Sequence, residues 1–232
     1  MSYVVMSDEY PKLCSAIESY GYNIISSDKI LKFNTPEQRH IDMQLLMIEN
    51  NIFLLWECIS LRKSLENKGY NIILCENNIK GKYPDCVALN CLYLDGKLYG
   101  REDVIDISVK NYCKKNSIEI VNVKQGYTRC STAVICKNSA ITADNTIYNA
   151  LTKSGVDVLK IESGNIRLDG YDYGFIGGAC TMLDKDTLAF FGDIKTHPNF
   201  REIEKFCIIH NVKIINLIEN APLIDIGGAL RI

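Results

Sequence analysis

The chain has 232 residues, with 26 Lys and Arg against 28 Asp and Glu, a net charge of −2, 47% hydrophobic and 23% charged residues. That balance fits a globular protein with a sizeable core and excludes a disordered one; the basic residues are dispersed, so no nucleic-acid partner is expected. Ser7-Asp8-Glu9 interrupts the opening apolar run, and Glu49-Asn50-Asn51 and Glu57 break the most apolar stretch, so neither a leader nor a membrane span is expected, which points to the cytoplasm.

In chain order, the first strand signal is Tyr3-Val4-Val5-Met6. A helix follows from Pro11 to Tyr20, with apolar residues three and four apart, and then a second strand, Gly21-Tyr22-Asn23-Ile24-Ile25. The same order returns four times. Helices are predicted over Trp56 to Lys68, Glu102 to Lys115, Asp144 to Ser154 and Asn199 to His210. Each leads into a copy of the strand: Gly69-Tyr70-Asn71-Ile72-Ile73, Ser117-Ile118-Glu119-Ile120-Val121, Gly155-Val156-Asp157-Val158-Leu159 and Asn211-Val212-Lys213-Ile214-Ile215. The copies begin 48, 48, 38 and 56 residues apart. Gly21, Gly69 and Gly155 stand where helices should stop, Thr142 and Asp144 suit N-caps, and Pro198 suits a first helical turn.

Before four of the helices, apolar runs flank Asn50-Asn51, Asp95-Gly96, Asn138-Ser139 and Asp184-Lys185-Asp186, the mark of hairpins. Each full unit therefore reads strand, turn, strand, helix, strand. The first unit lacks its opening strand, and Leu223 to Ile232 form a strand with no helix after it. If this tail supplies the missing strand, five ββαβ units close into a ring, an α/β propeller with five-fold pseudo-symmetry and no free sheet edges. The units are about 1–28 with 223–232, 42–76, 85–124, 128–162 and 174–218, all in one domain.

Ten cysteines occur without any Cys-x-x-Cys pair or dense disulfide spacing. They read as reduced, mostly buried thiols, and neither a metal nor another cofactor is expected.

The repeat order, with Tyr173-Gly174-Phe175-Ile176-Gly177-Gly178 and Asp225-Ile226-Gly227-Gly228, resembles the pentein fold of the guanidino-group-modifying superfamily. It looks most like an uncharacterised bacterial branch that lacks the usual catalytic Cys and His. The resemblance implies chemistry at one mouth of a central channel. Aligned opening strands bring Asp42, Asp85, Arg129, Ile176 and Asp225 to equivalent positions, 43, 44, 47 and 49 residues apart. Strand alternation puts Asp225 and Arg231 on one face, where Arg231 would favour a carboxylate or phosphate. Asp169, Tyr171 and Asp172 are expected to rim the pocket, with Phe175 and Gly177 beside it.

The family's hydrolases need a cysteine just beyond a Gly-rich stretch near the C-terminus, but here that stretch reads Gly227-Gly228-Ala229-Leu230-Arg231-Ile232. The histidine expected at the start of a late strand is likewise replaced by Phe175-Ile176. His40, His197 and His210 are read as structural or surface residues. Three functions stay open: binding of a small polar or zwitterionic ligand without standard amidinohydrolase chemistry, a divergent guanidino-modifying hydrolase or transferase using Cys130 as nucleophile, and a protein-binding adaptor.

Overall fold

A computed structural model describes residues 2–232. Five three-stranded sheets share one internal order. Strands β1 (Tyr3–Met6) and β2 (Asn23–Ser26) flank helix α1 (Pro11–Ser19). A short α2 (Ile41–Gln44) leads into β3 (Leu45–Ile48), β4 (Asn51–Leu54), α3 (Ile59–Glu66) and β5 (Asn71–Leu74). The third set is β6 (Leu92–Leu94), β7 (Lys97–Gly100), α4 (Ile107–Lys115) and β8 (Glu119–Asn122). The fourth is β9 (Thr132–Cys136), β10 (Ser139–Thr142), α5 (Asn145–Lys153) and β11 (Asp157–Lys160). After a short β12 (Ile166–Arg167) comes the fifth, β13 (Cys180–Asp184), β14 (Thr187–Phe190), α6 (Phe200–Ile209) and β15 (Lys213–Asn216). The chain then runs through β16 (Leu223–Ile224) to β17 (Leu230–Arg231).

In each sheet the middle strand is antiparallel to the strand opening the unit and parallel to the one closing it, the second link crossing through the helix. The first sheet has the same order only because β17 pairs antiparallel with β1, Val4 opposite Arg231 and Val5 opposite Leu230. Leu223 and Ile224 behave differently from the expected tail strand: they pair in parallel with β12, so the strand added to β1 is only its last few residues.

Local chemistry explains why the order of elements repeats although the spacing varies. Two or three residues past the end of each long helix stands a left-handed residue, with φ of 87° at Gly21, 84° at Gly69, 56° at Ser117, 85° at Gly155 and 57° at Asn211. That conformation stops a helix and turns the chain back along its own sheet. The strands that follow are exposed or half-buried at most positions, while the middle strands are buried almost throughout. Asp144 caps α5, accepting from the N–H groups of Thr146 (2.7 Å) and Ile147 (2.9 Å). Thr142 instead ends β10, and Pro198 lies ahead of α6, outside the helix. Helix α4 starts at Ile107 rather than Glu102, because Asp106 accepts from the Ser108 N–H at 2.8 Å and sets the start there. Helix α3 likewise starts three residues after Trp56, whose ring is left exposed. Among the described residues no helix is long and apolar enough to cross a membrane.

Candidate functional site

Polar side chains converge just ahead of the opening strands. Asp42 lies in the single turn of α2 before β3, while Asn90 and Cys130 each stand two residues ahead of β6 and β9. All three are buried. The Cys130 thiol donates to Asp42 Oδ2 at 2.6 Å, and the Asn90 amide donates to Cys130 Sγ at 3.2 Å. Asn90 Oδ1 also accepts from the backbone N–H groups of Arg129 and Cys130, at 2.8 and 3.1 Å, which fixes the turn carrying the thiol.

A second carboxylate closes the cluster. Asp225 accepts from the N–H groups of Phe175 (2.8 Å) and Gly227 (2.9 Å), and its Oδ1 lies 4.0 Å from His40 Nδ1. The glycines quoted from the sequence make room for this approach. A side chain at Gly178 would strike the Asp225 carboxylate, one at Gly227 would strike His40, and one at Gly177 would strike the carbonyl oxygens of Arg129, Cys130 and Thr132. Among the described residues, His40 Nε2 and Asp42 Oδ1 are buried without a hydrogen-bond partner. Ligand atoms of His40, Asp42 and Cys130 all lie within 4.8 Å of one another, close enough to share a metal ion.

Burial sets the protonation of this cluster. It pushes the Asp42 carboxyl up to about 7, helped by Asp225 and opposed by His40, the Cys130 thiol and Arg129. Burial, followed by the charges of Asp42 and Asp225, pushes the Cys130 thiol well above its ordinary value. The thiol form therefore dominates at neutral pH.

His40, Cys130 and Asp225 face a cavity of about 250 Å³ whose walls include Glu37, Tyr127, Tyr171, Asp172 and Phe175. Glu37 ends a 3-10 turn in the link from β2 to α2, and it is only 3% exposed. Its Oε1 accepts from the hydroxyls of both Tyr127 and Tyr171 at 2.8 Å, while Oε2 has no partner. Burial and then the Glu37 charge push the Tyr127 phenol up, and burial with the Glu37 hydrogen bond takes Tyr171 up to about 12, so both remain donors. The aromatic wall is continuous. Tyr83 stacks on Tyr127 with ring centres 5.6 Å apart, Tyr127 lies 5.9 Å from Phe175, and Tyr173 meets Phe175 edge-on at 6.4 Å.

A second cavity, about 350 Å³, is bounded by Asp42, Arg129, Gly227 and apolar residues of β3, β6, β9 and β17. Arg129 is tied there to the Thr132 carbonyl at 2.9 Å.

The structure brings Asp42, Arg129, Cys130, Tyr171, Phe175 and Asp225 around these two cavities. Gly177 packs behind the Cys130 turn. Three expected residues lie elsewhere. Asp85 is on a surface 3-10 turn, 3.4 Å from Lys80; Asp169 pairs with Arg167 at 2.7 Å; and Arg231 pairs with Asp184 at 2.9 Å. Arg231 leaves the face of Asp225 because Gly227 and Gly228, with φ of 76° and 70°, break the alternation between them. His40, read as structural or surface, lies in the link before α2 and is buried, its Nδ1 4.0 Å from Asp225 Oδ1, rather than at the surface. His197 and His210 do sit apart, the first bonding the Asn199 N–H at 3.1 Å, the second Asp157 at 3.0 Å. Glu37, His40 and Asn90 were not anticipated. Asn90 had a signal, for it precedes its strand by the same two residues as Cys130; Glu37 and His40 lie in a link that carries no periodicity.

Solved structures with this fold belong to the pentein superfamily. The dimethylarginine dimethylaminohydrolase of Pseudomonas aeruginosa, solved with citrulline, is 8% identical, with a TM-score of 0.58 over 99% of this chain and 98% of that one. The inosamine-phosphate amidinotransferase of Streptomyces griseus is 9% identical, with a TM-score of 0.60 over 96% and 78%. The N-terminal domain of an arginine dihydrolase from the cyanobacterial ornithine-ammonia cycle is 10% identical, with a TM-score of 0.57 over 98% and 94%. At such identity the likeness establishes the fold. No curated protein matches the chain. A family model does match, over residues 4–230, and by it this pentein-fold chain belongs to the family of unknown function DUF6873.

Proposed function

We propose that this protein binds a small cationic or zwitterionic molecule in the 250 Å³ cavity, without standard amidinohydrolase chemistry. The observation that carries the reading is Glu37: a buried carboxylate with one oxygen held by two tyrosine hydroxyls and the other without a donor. An unpaired buried acceptor costs about 1–3 kcal/mol, and more when charged, so a ligand N–H or ammonium group completes it. The charged side chains around it, Glu37, Asp172 and Asp225, are acidic, and the aromatic faces add cation–π attraction. The names of the similar structures, dimethylarginine, arginine and amidino compounds among them, put guanidinium and amidinium groups first among candidates. In this reading the five sheets form one propeller domain closed by β17 on β1, with the cavity at the mouth of its channel. The ten free cysteines fit a reducing compartment, and we place the protein in the cytoplasm.

A second reading, a hydrolase or transferase acting through Cys130, is favoured by the grouping of that thiol with His40 and Asp42. It requires the thiolate, which burial opposes first and the charges of Asp42 and Asp225 second, until a cation sits beside them.

A thermal-shift screen of guanidines, amidines, amines and matched carboxylates, on wild type and Glu37→Gln, tests the first reading. Cationic hits lost in the variant support it; hits confined to carboxylates, or unchanged in the variant, overturn it.

A further inference from the structure

We propose that His40, Asp42 and Cys130 form a zinc site, with a fourth position open to the 250 Å³ cavity. This inference does not depend on the cation reading, which rests on Glu37. Three ligands from three donor types plus one open position is the pattern of zinc sites that also take a ligand. A thiolate with an imidazole selects zinc or another borderline-soft ion over magnesium or calcium.

Two observations beyond the grouping point to an ion. First, His40 Nε2 and Asp42 Oδ1 are buried with no partner, although both side chains are at most 6% exposed. A metal supplies the missing partner to a nitrogen and an oxygen, which a single water does less well. Second, the surrounding bonds are those of an outer shell. Asp225 faces the other ring nitrogen of His40, and Asn90 donates to Cys130 Sγ while holding its backbone. Partners of this kind orient a ligating histidine and thiolate.

The metal-free geometry requires modest change. Zinc bonds of about 2.0–2.3 Å place ligand atoms roughly 3.5 Å apart. The ligand atoms already lie within 4.8 Å of one another, so closing to that spacing takes shifts of about 1 Å or less, and the 2.6 Å hydrogen bond from Cys130 Sγ to Asp42 Oδ2 is given up as the thiol ionises. The proton now shared between thiol and carboxylate leaves as the ion enters: Zn²⁺ and Cys–SH give the zinc thiolate and H⁺, with no redox change. A ligand held by its cationic end at Glu37 could then offer a carbonyl or carboxylate oxygen to the open position, which accommodates a zwitterion.

Cobalt(II) titration of chelator-treated, desalted protein tests the site, because a cobalt–thiolate bond gives a charge-transfer absorption that oxygen and nitrogen ligands do not. We expect that absorption to saturate at one equivalent, zinc to abolish it, and Cys130→Ser to lose it. Cys136→Ser is the control, since Cys136 also lies near a histidine, 4.0 Å from His210 Nδ1. No absorption in wild type, or absorption kept in Cys130→Ser or lost in Cys136→Ser, overturns the proposal. Glu37→Gln should keep the absorption, so failure of the cation reading leaves this result distinct.

Discussion

Replacing Asp42 by asparagine should stabilise the metal-free protein, and by an amount that depends on pH. Asp42 is fully buried, and burial raises its carboxyl from an ordinary value of 3.8 to about 7. At 1.36 kcal/mol per pKa unit, ionised Asp42 costs the folded state about 4 kcal/mol at pH 8. Because the folded value is the higher one, Asp42 favours folding fully below 3.8 and loses that contribution as pH rises through 7. Asparagine carries no charge; its oxygen accepts the Cys130 S–H, and its amide replaces an oxygen that has no partner. The variant should therefore gain up to about 4 kcal/mol at pH 8, reduced by about 1–3 kcal/mol for the buried amide N–H left without an acceptor, and should gain about 2–3 kcal/mol less at pH 5. Urea denaturation in the presence of EDTA, followed by circular dichroism at both pH values, measures the difference. A variant less stable than wild type at pH 8, or an equal gain at both values, refutes the assigned burial cost.

Asp85→Ala should leave cation binding unchanged and alter stability by no more than about 1 kcal/mol, since its ion pair is with the exposed Lys80; calorimetric titration and a melting curve check both. Gly178→Ala should destabilise by at least about 1–3 kcal/mol, because the new methyl group collides with the Asp225 carboxylate, and urea denaturation reads the loss. Asp193→Ala should cost about 2–4 kcal/mol by the same measurement. That buried carboxylate accepts from the Lys195 N–H, the Asn216 amide and the Asn220 N–H, at 3.0, 2.8 and 3.1 Å, and its loss leaves them unpaired.

Much of the fold was legible because each unit repeats one local rule: a helix, a left-handed residue, then a strand at fixed offset. Glycine announced that residue at three of the five positions, and Ser117 and Asn211 fill the same role with positive φ. Helix starts were less legible, since α4 begins where Asp106 caps it, while the first turn of α3 finds its acceptor far along the chain, the Leu61 N–H donating to Asp28 Oδ2 at 2.9 Å. The site was legible where it hangs on the strands. Asp42, Arg129 and Asp225 follow from unit spacing, with Cys130 next to Arg129 in the chain, but Asp85 does not, because the chain makes a longer excursion before β6 and it is Asn90 of that unit that reaches the thiol. Arg231 misled because alternation was carried across two glycines. Glu37 and His40 lie in the link from β2 to α2, where no period operates, and only packing brings them to the cavity.

The most direct test is a crystal structure with methylguanidinium at millimolar concentration. The account predicts a planar cation hydrogen-bonded to Glu37 Oε2 and lying against the rings of Tyr127 or Phe175. A cavity holding only water there, or a cation bound only away from Glu37, would contradict it.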